Sequence, residues 1–332
     1  MMFVSCSGIA QDIHFSQFDE TPLLLNPAAA GVPHEFRAIA NYKSQWQSVN
    51  APFKTIAVSS DGRLFKNKKN HLGIGLNFFS DKAGDGQIKT NQINLSLSGI
   101  IQLNPNNLLS AGLMAGYVQK TMNNSAYSWS NQYDGLSYES SRPTGELNLI
   151  PNFSYTDLAA GLQYSYGSGE MYMTANTAKR VNIGVSFFHP HQPANTFTGD
   201  GTKLYMKMVF HGDGAIGLKN TNLVLKPSYI VFVQGPTKEI TPGLSCQYIL
   251  QGSSKYTGVK KFTAISIGGY YRAMDAAIAV VKIEYNSCAI GFSYDINLSK
   301  LKTVSNTRGG FEVSLRYAYN TYKRGATNSK FH

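Results

Sequence analysis

The chain has 332 residues and a formal charge of +11, yet only 15% of its residues are charged and its mean hydropathy is −0.20. A soluble domain carries about a quarter charged residues; here Ser, Asn, Gln, Thr, Gly and 20 Tyr supply the polarity instead. Lys and Arg are scattered rather than gathered on a helix or ribbon, which argues against a nucleic-acid partner, and no apolar run approaches the ~18 residues of a membrane-spanning helix. A closed barrel, whose apolarity hides in alternation, remains open.

In chain order, residues 1–10 (MMFVSCSGIA) read as the remainder of a signal peptide, with Gly8-Ile9-Ala10 as a small-x-small cleavage site before Gln11. Cys6 belongs to that leader. Cys246 and Cys288 fall on apolar faces of strands three apart and read as small packing residues, not a disulfide. Residues 11–35 show no strand alternation and carry Pro22, Pro27 and the run Leu23–Leu25. They are expected to form an extended N-terminal segment packed inside or under the barrel, as a lumen plug.

Alternation then begins, with side chains pointing to opposite sides in turn. Fourteen segments are predicted: 36–46, 53–61, 70–80, 88–102, 107–119, 157–168, 180–189, 203–211, 222–234, 239–251, 262–272, 276–285, 288–299 and 309–319. Cys288–Asn297 is the plainest: Cys288, Ile290, Phe292, Tyr294 and Ile296 share one face, and Ala289, Gly291, Ser293, Asp295 and Asn297 the other. About ten residues is what a tilted strand needs to cross a bilayer, and an even count suits a single-chain outer-membrane barrel. The reading is therefore all-β: a transmembrane antiparallel up-and-down barrel of about fourteen strands over residues 36–320, with residues 321–332 as a tail. A large soluble sandwich would expose too many strand edges. The aromatic pairs Phe78-Phe79, Phe187-Phe188 and Tyr270-Tyr271 near strand ends suggest girdles at the two membrane interfaces.

With the N-terminus starting on the periplasmic side, the connections 47–52, 81–87, 120–156, 190–202 and 300–308 face outward. The longest, Lys120–Thr156, is rich in aromatics, and Tyr127, Trp129, Tyr133 and Tyr138 are candidate anchors for a protein partner. Lys226, Lys282, Glu284, Asp295, Glu312 and Arg316 fall on the polar faces, so they must point into the lumen, where both signs being present favours pairing. His189 and His191 stand at i and i+2 across Pro190, and read as hydrogen-bonded or solvated residues rather than a metal pair. DKAGDG at 81–86 lacks the spacing and closing Glu of a calcium loop and reads as a hairpin turn. No G-x-S-x-G elbow occurs. No cofactor is expected.

Beyond these patterns, the chain resembles the PorP/SprF family of Bacteroidetes. QDIHFSQFDETPLLLN at 11–26 with Pro27-Ala28 and Gly31, NYKSQW at 41–46, LAAGLQYSY at 158–166 and VNIGVSFFHPHQP at 181–193 are similar to its ordered segments, as are KPSYIVFVQGPTKEI at 226–240, FSYDINLSKL at 292–301 and GGFEVSLRY at 309–317. Ile13 stands where that family often has Pro, and the chain runs past its last strand to His332. The resemblance implies a non-enzymatic outer-membrane component of type IX secretion and gliding, whose partners are other secretion components and a secreted adhesin held at the surface through its C-terminal domain. Two alternatives stay open: a passive or hydrophobic-solute channel, which needs an unplugged lumen, and a structural link to a periplasmic scaffold through turns such as Gly62–Lys69, with Lys66, Lys68 and Lys69.

Overall fold

In the computed structural model, residues 12–319 are described apart from 33, 46–51, 66–69, 85–86, 124–126, 146–149, 170, 173–174, 253–260 and 300–306. The proposed leader with Cys6, the lysines 66, 68 and 69, Asp85 and the tail 320–332 lie outside the described residues.

The alternating segments form the strands β1 (Phe36–Gln45), β2 (Phe53–Leu64), β3 (His71–Ala83), β4 (Ile88–Asn104), β5 (Asn107–Thr121), β6 (Asn152–Ser168) and β7 (Lys179–Phe188). They continue as β8 (Lys207–Gly217), β9 (Leu223–Gln234), β10 (Thr237–Gln251), β11 (Thr263–Arg272), β12 (Ala276–Tyr285), β13 (Cys288–Asn297) and β14 (Arg308–Tyr319). Each pairs antiparallel with its sequence neighbours, and β1 pairs with β14 from Phe36↔Tyr319 to Gln45↔Gly310, closing the barrel. Closure leaves no free edge, which lipid would not tolerate. All fourteen expected strands are present.

The pleat sorts the side chains. One outward row reads Ala40, Val58, Phe78, Ile93 and Tyr117, neighbours across β1 to β5. Leu76 and Leu95 are paired below it, then Ile74 and Leu97. These residues are exposed on the outer wall. A continuous apolar belt of this kind is untenable in water and is what hydrocarbon requires. Cys246 and Cys288 are both free, on β10 and β13.

The inner wall is polar along β2 to β4, where Ser59, Asn77 and Asn94 are neighbours, and carries an apolar cluster on β5 to β12. Met114, Ala159, Phe188, Val209, Ile230, Tyr270, Ile278 and Val280 form one buried cluster there, together with Phe18 and Leu25 from the N-terminal segment. The barrel has two unlike ends. The 30-residue connection 122–151 and the 18-residue connection 189–206 emerge at one end, called here the long-loop end. The two-residue turns β4–β5 and β12–β13 lie at the other, with the entry to β1 and the exit from β14.

Candidate functional site: a filled lumen under a loop-covered mouth

Residues 12–32 run through the lumen from the long-loop end to the opposite one. They make three short turns, Phe18–Glu20, Pro22–Leu25 and Pro27–Ala29, where the prolines supply a preset φ at the first helical position. The Asn26 side chain accepts from the Ala28 N–H at 2.9 Å and donates to the Leu162 carbonyl at 2.9 Å, so one residue both caps a turn and ties it to β6. Backbone that leaves regular structure inside a barrel must find partners on the wall. It does: the Ser16 and Gln17 N–H groups donate to the Glu312 carboxylate at 2.7 and 2.9 Å, and the Gly31 N–H to Asp61 at 2.8 Å. The Ala30 carbonyl accepts from the Ser98 hydroxyl at 2.7 Å.

The segment lies close against the wall because inward positions there are glycine. A Cβ on Gly112 would sit 2.4 Å from the Ala28 nitrogen, and one on Gly73 would sit 2.1 Å from the Ala30 oxygen. Both are below any permitted contact, so any larger residue forces the backbone of residues 12–32 away.

The lumen charges pair, and Asp19 and Glu20 of the N-terminal segment supply three of these seven contacts. Glu20 lies 2.6 Å from Lys282 and 2.8 Å from Arg316; Glu284 bridges Lys226 at 3.3 Å and Arg316 at 3.2 Å. Lys282 also holds Asp19. Glu312 faces Lys43 at 3.0 Å, and Asp295 faces Arg272 at 3.3 Å. Low dielectric strengthens each pair, but their worth is mostly the penalty avoided: stranding one partner is costly. Asp19 and Glu20 are thereby fastened to β12 and β14, while the Ser16 hydroxyl donates to Asp295 on β13 and accepts from Arg272 on β11, both at 2.7 Å, and the Glu20 carbonyl accepts from Asn41 on β1 at 3.1 Å.

The first described residue is clamped at the long-loop mouth. Asp12 lies 2.7 Å from His189 Nε2 and 3.2 Å from Lys207, and His189 Nδ1 lies 2.6 Å from Asp157. Burial works against a charged imidazole, but the Asp12 and Asp157 carboxylates outweigh it and lift His189 to about 9. Burial likewise disfavours the Asp12 carboxylate, but Lys207 and His189 hold it well below the usual carboxylate range. A raised histidine contributes fully below its ordinary 6.5 and loses the contribution as pH rises through 9; Asp12 contributes above its ordinary 3.8. The clamp is therefore strongest between about pH 4 and 6.5. We expect hydrogen exchange of residues 12–17, corrected for intrinsic rate, to speed up roughly tenfold or more between pH 7 and 10, an effect removed by His189→Gln; a flat profile would contradict the clamp. His191 does not join this cluster but faces the Thr156 carbonyl at 2.8 Å. The two histidines thus serve separate partners, and no group of metal-ligating side chains occurs among the described residues.

On the side of the lumen away from Gly73 and Gly112, a cavity of about 300 Å³ remains. It lies between Phe18 and Leu25 on one side and β7–β12 on the other, and Arg180, Lys226, Glu284 and Arg316 line its lower part toward the short-turn end.

Above the long-loop mouth, the two long connections brace each other. The Ile150 N–H donates to the Phe197 carbonyl at 2.7 Å, and the rings of Phe153 and Phe197 meet edge to face at 4.9 Å. The four candidate aromatics divide into two pairs. Tyr127 and Trp129 pack on each other at 5.7 Å and are half-buried. Tyr133 and Tyr138 pair across a β-bridge and are 56% and 48% exposed. The buried Gln132 organises this tip: it donates to the carbonyls of Ser140 and Arg142 at 3.2 and 3.0 Å and accepts from the Tyr138 hydroxyl at 2.9 Å. The expected connection 120–156 is shorter at both ends, because β5 runs to Thr121 and β6 starts at Asn152.

A closed barrel with an apolar outer belt and a lumen filled by its own N-terminal segment is an outer-membrane β-barrel. Residues 7–317 match the family model described as type IX secretion system membrane protein PorP/SprF. The chain belongs to that family. No curated protein matches the chain. Among solved structures, it is similar to a FadL homologue of Pseudomonas aeruginosa (TM-score 0.50, 11% identity, 91% of this chain and 94% of that one). The toluene transporter TodX of Pseudomonas putida is also similar (TM-score 0.47, 10% identity, 91% and 95%). At such identities the first likeness shows the barrel fold alone.

Proposed function

We propose that this barrel is a non-catalytic docking protein of the type IX machinery, which binds a secreted protein through its C-terminal domain and retains it at the cell surface. The observation that carries this reading is the exposed Tyr133–Tyr138 pair, held by Gln132 on a loop braced by its neighbour above a filled lumen. Tyrosines on a pre-ordered scaffold give large contact area at small entropic cost, which is what an interface anchor needs. Tyr127 and Trp129 pack on each other, and the Trp129 backbone N–H donates to the Gln132 side chain at 3.2 Å. The long-loop end faces outward, since barrels of this class keep short turns on the periplasmic side. Signal cleavage before Gln11 belongs to the same reading, with Asp12 following at the mouth. Roles in gliding and adhesin anchoring, and contact with other secretion components, belong to this proposal.

A solute channel fits less well. Residues 12–32 and the apolar cluster around Phe18 close the mid-lumen, and the remaining cavity is edged by Arg180, Lys226 and Arg316. The test is affinity capture from native outer membranes, comparing the intact protein with one lacking Ser125–Ser141. A large secreted protein recovered at least tenfold better with the intact loop is the expected outcome. Equal recovery would move the contact elsewhere, and recovery of periplasmic proteins alone would favour a scaffold link.

A further inference from the structure

The outer wall carries few charges on its strands, and among the residues whose side chains are described each one is a lysine: Lys54, Lys82, Lys89, Lys179 and Lys238. Three of them are direct neighbours. Lys54 on β2 pairs in register with Lys82 on β3, and Lys82 with Lys89 on β4. All three side chains are exposed and point outward, at the long-loop end. Like charges directly opposite each other across a sheet destabilise it. Strands lie about 4.8 Å apart, so three cations are crowded within about 10 Å. None of the three ammonium groups has an acidic partner on the outer faces of β2 to β5, where the outward positions are apolar, small or uncharged polar residues.

Their height is informative. The last continuous apolar row is Val58, Phe78, Ile93 and Tyr117. The next row up has Ile56, Ser80, Asn91 and Gln119, and the one above it holds the three lysines. Four residues along a strand tilted by about 40° rise roughly 10 Å, which places the ammonium groups in the headgroup layer just above the hydrocarbon. Lysine stems can lie along the wall while the charge stays in the polar layer. β9 to β14 carry one such lysine at this end, Lys238, so the cluster is confined to one side of the barrel.

We propose that Lys54, Lys82 and Lys89 form a binding site for the phosphate groups of a phosphorylated glycolipid in the outer leaflet, whose acyl chains run down the belt of Phe78, Leu76, Ile93 and Leu95. The three cations neutralise headgroup phosphates, and the phosphates relieve the repulsion that the register imposes. Ser80 and Asn91, hydrogen-bonded to each other at 2.8 Å, lie between the charged row and the belt, at the level of the sugar or glycerol groups. The bound lipid fixes the face of the barrel that points away from β9–β14 as a lipid-facing side. This inference uses the orientation of the barrel but not the docking of a secreted client.

The test is native mass spectrometry of the full chain in non-ionic detergent, titrated with diphosphoryl lipid A or with phosphatidylethanolamine. The intact protein is expected to retain lipid A at least tenfold better than phosphatidylethanolamine. The triple variant Lys54→Gln, Lys82→Gln, Lys89→Gln is expected to lose that preference, the triple Lys→Arg variant to keep it, and Lys179→Gln at the opposite end to leave it unchanged. Equal lipid A binding by the glutamine triple, or no preference in the intact protein, would overturn the proposal. So would displacement of the lipid by equimolar inorganic phosphate, which would mean that the lysines recognise the free anion and not the lipid. If the glutamine triple fails to fold, loss of binding by the arginine triple would overturn it as well.

Discussion

Glu20→Ala is expected to loosen the N-terminal segment by about 3–5 kcal/mol, the usual cost of removing one partner from a buried ion-pair network. Glu20 is 1% exposed and answers both Lys282 and Arg316; without it, those cations keep only Asp19 and Glu284. The Asn41 side chain, which donates to the Glu20 carbonyl at 3.1 Å, would be left with a displaced partner as the turn Phe18–Glu20 unwinds. The barrel ladder does not depend on this residue, so the loss should appear as earlier release of the segment under urea, read by hydrogen exchange of residues 16–20, with the strands still protected. Adding Lys282→Met should recover part of the loss, because the stranded cation is the main penalty. A change under about 1 kcal/mol would show that solvent in the cavity already compensates these charges.

The second large effect is steric. Gly112→Val places branched carbons where the Ala28 backbone nitrogen is only 2.4 Å from a Cβ. The obstacle on the other side is backbone, held by Asn26 and by the turn Pro27–Ala29, so it cannot rotate aside. Valine suits a strand, so β5 itself loses nothing. The expected result is a folded barrel with residues 26–30 expelled from their seat and ion conductance in planar bilayers raised several-fold over the intact protein. Gly99→Val is the control: a Cβ there meets nothing within 4 Å, and conductance should stay as in the intact protein. Unchanged conductance in Gly112→Val, with the barrel intact, would mean that the segment does not close the lumen.

Most of the barrel was legible because a two-residue period is a local signal. It fails where the signal weakens. Asn152, Ser154 and Thr156 point outward above the apolar belt while Phe153 and Tyr155 point inward, so the start of β6 inverts the apolar-out pattern that marks the other strands. Conversely β8 begins at Lys207, four residues later than the apolar pattern suggests, because Leu204 belongs to a loop and bonds back to Pro193. The pairing of lumen charges was readable from sign and face alone, but the partners were not. Ser16 meets Asp295 across 279 residues, and Asp12 meets His189 across 177. Residues 12–32 have no period, and the glycines that admit them look like ordinary strand glycines until the segment lies on them. The lysine ladder needs register: Lys54, Lys82 and Lys89 become neighbours only through the strand pairing. For the candidate anchors, aromatic content marked the loop, but only the fold separates the exposed pair Tyr133 and Tyr138 from the self-packed pair Tyr127 and Trp129.

The most direct test of surface docking is site-specific photo-crosslinking in living cells, with the probe at Tyr133 on the long-loop tip or at Asn286 in the opposite turn between β12 and β13. Docking at the loop-covered mouth requires a high-mass adduct with a secreted protein from position 133 and none from position 286. Adducts with a secreted protein from position 286 alone, or with periplasmic proteins from both, would contradict it.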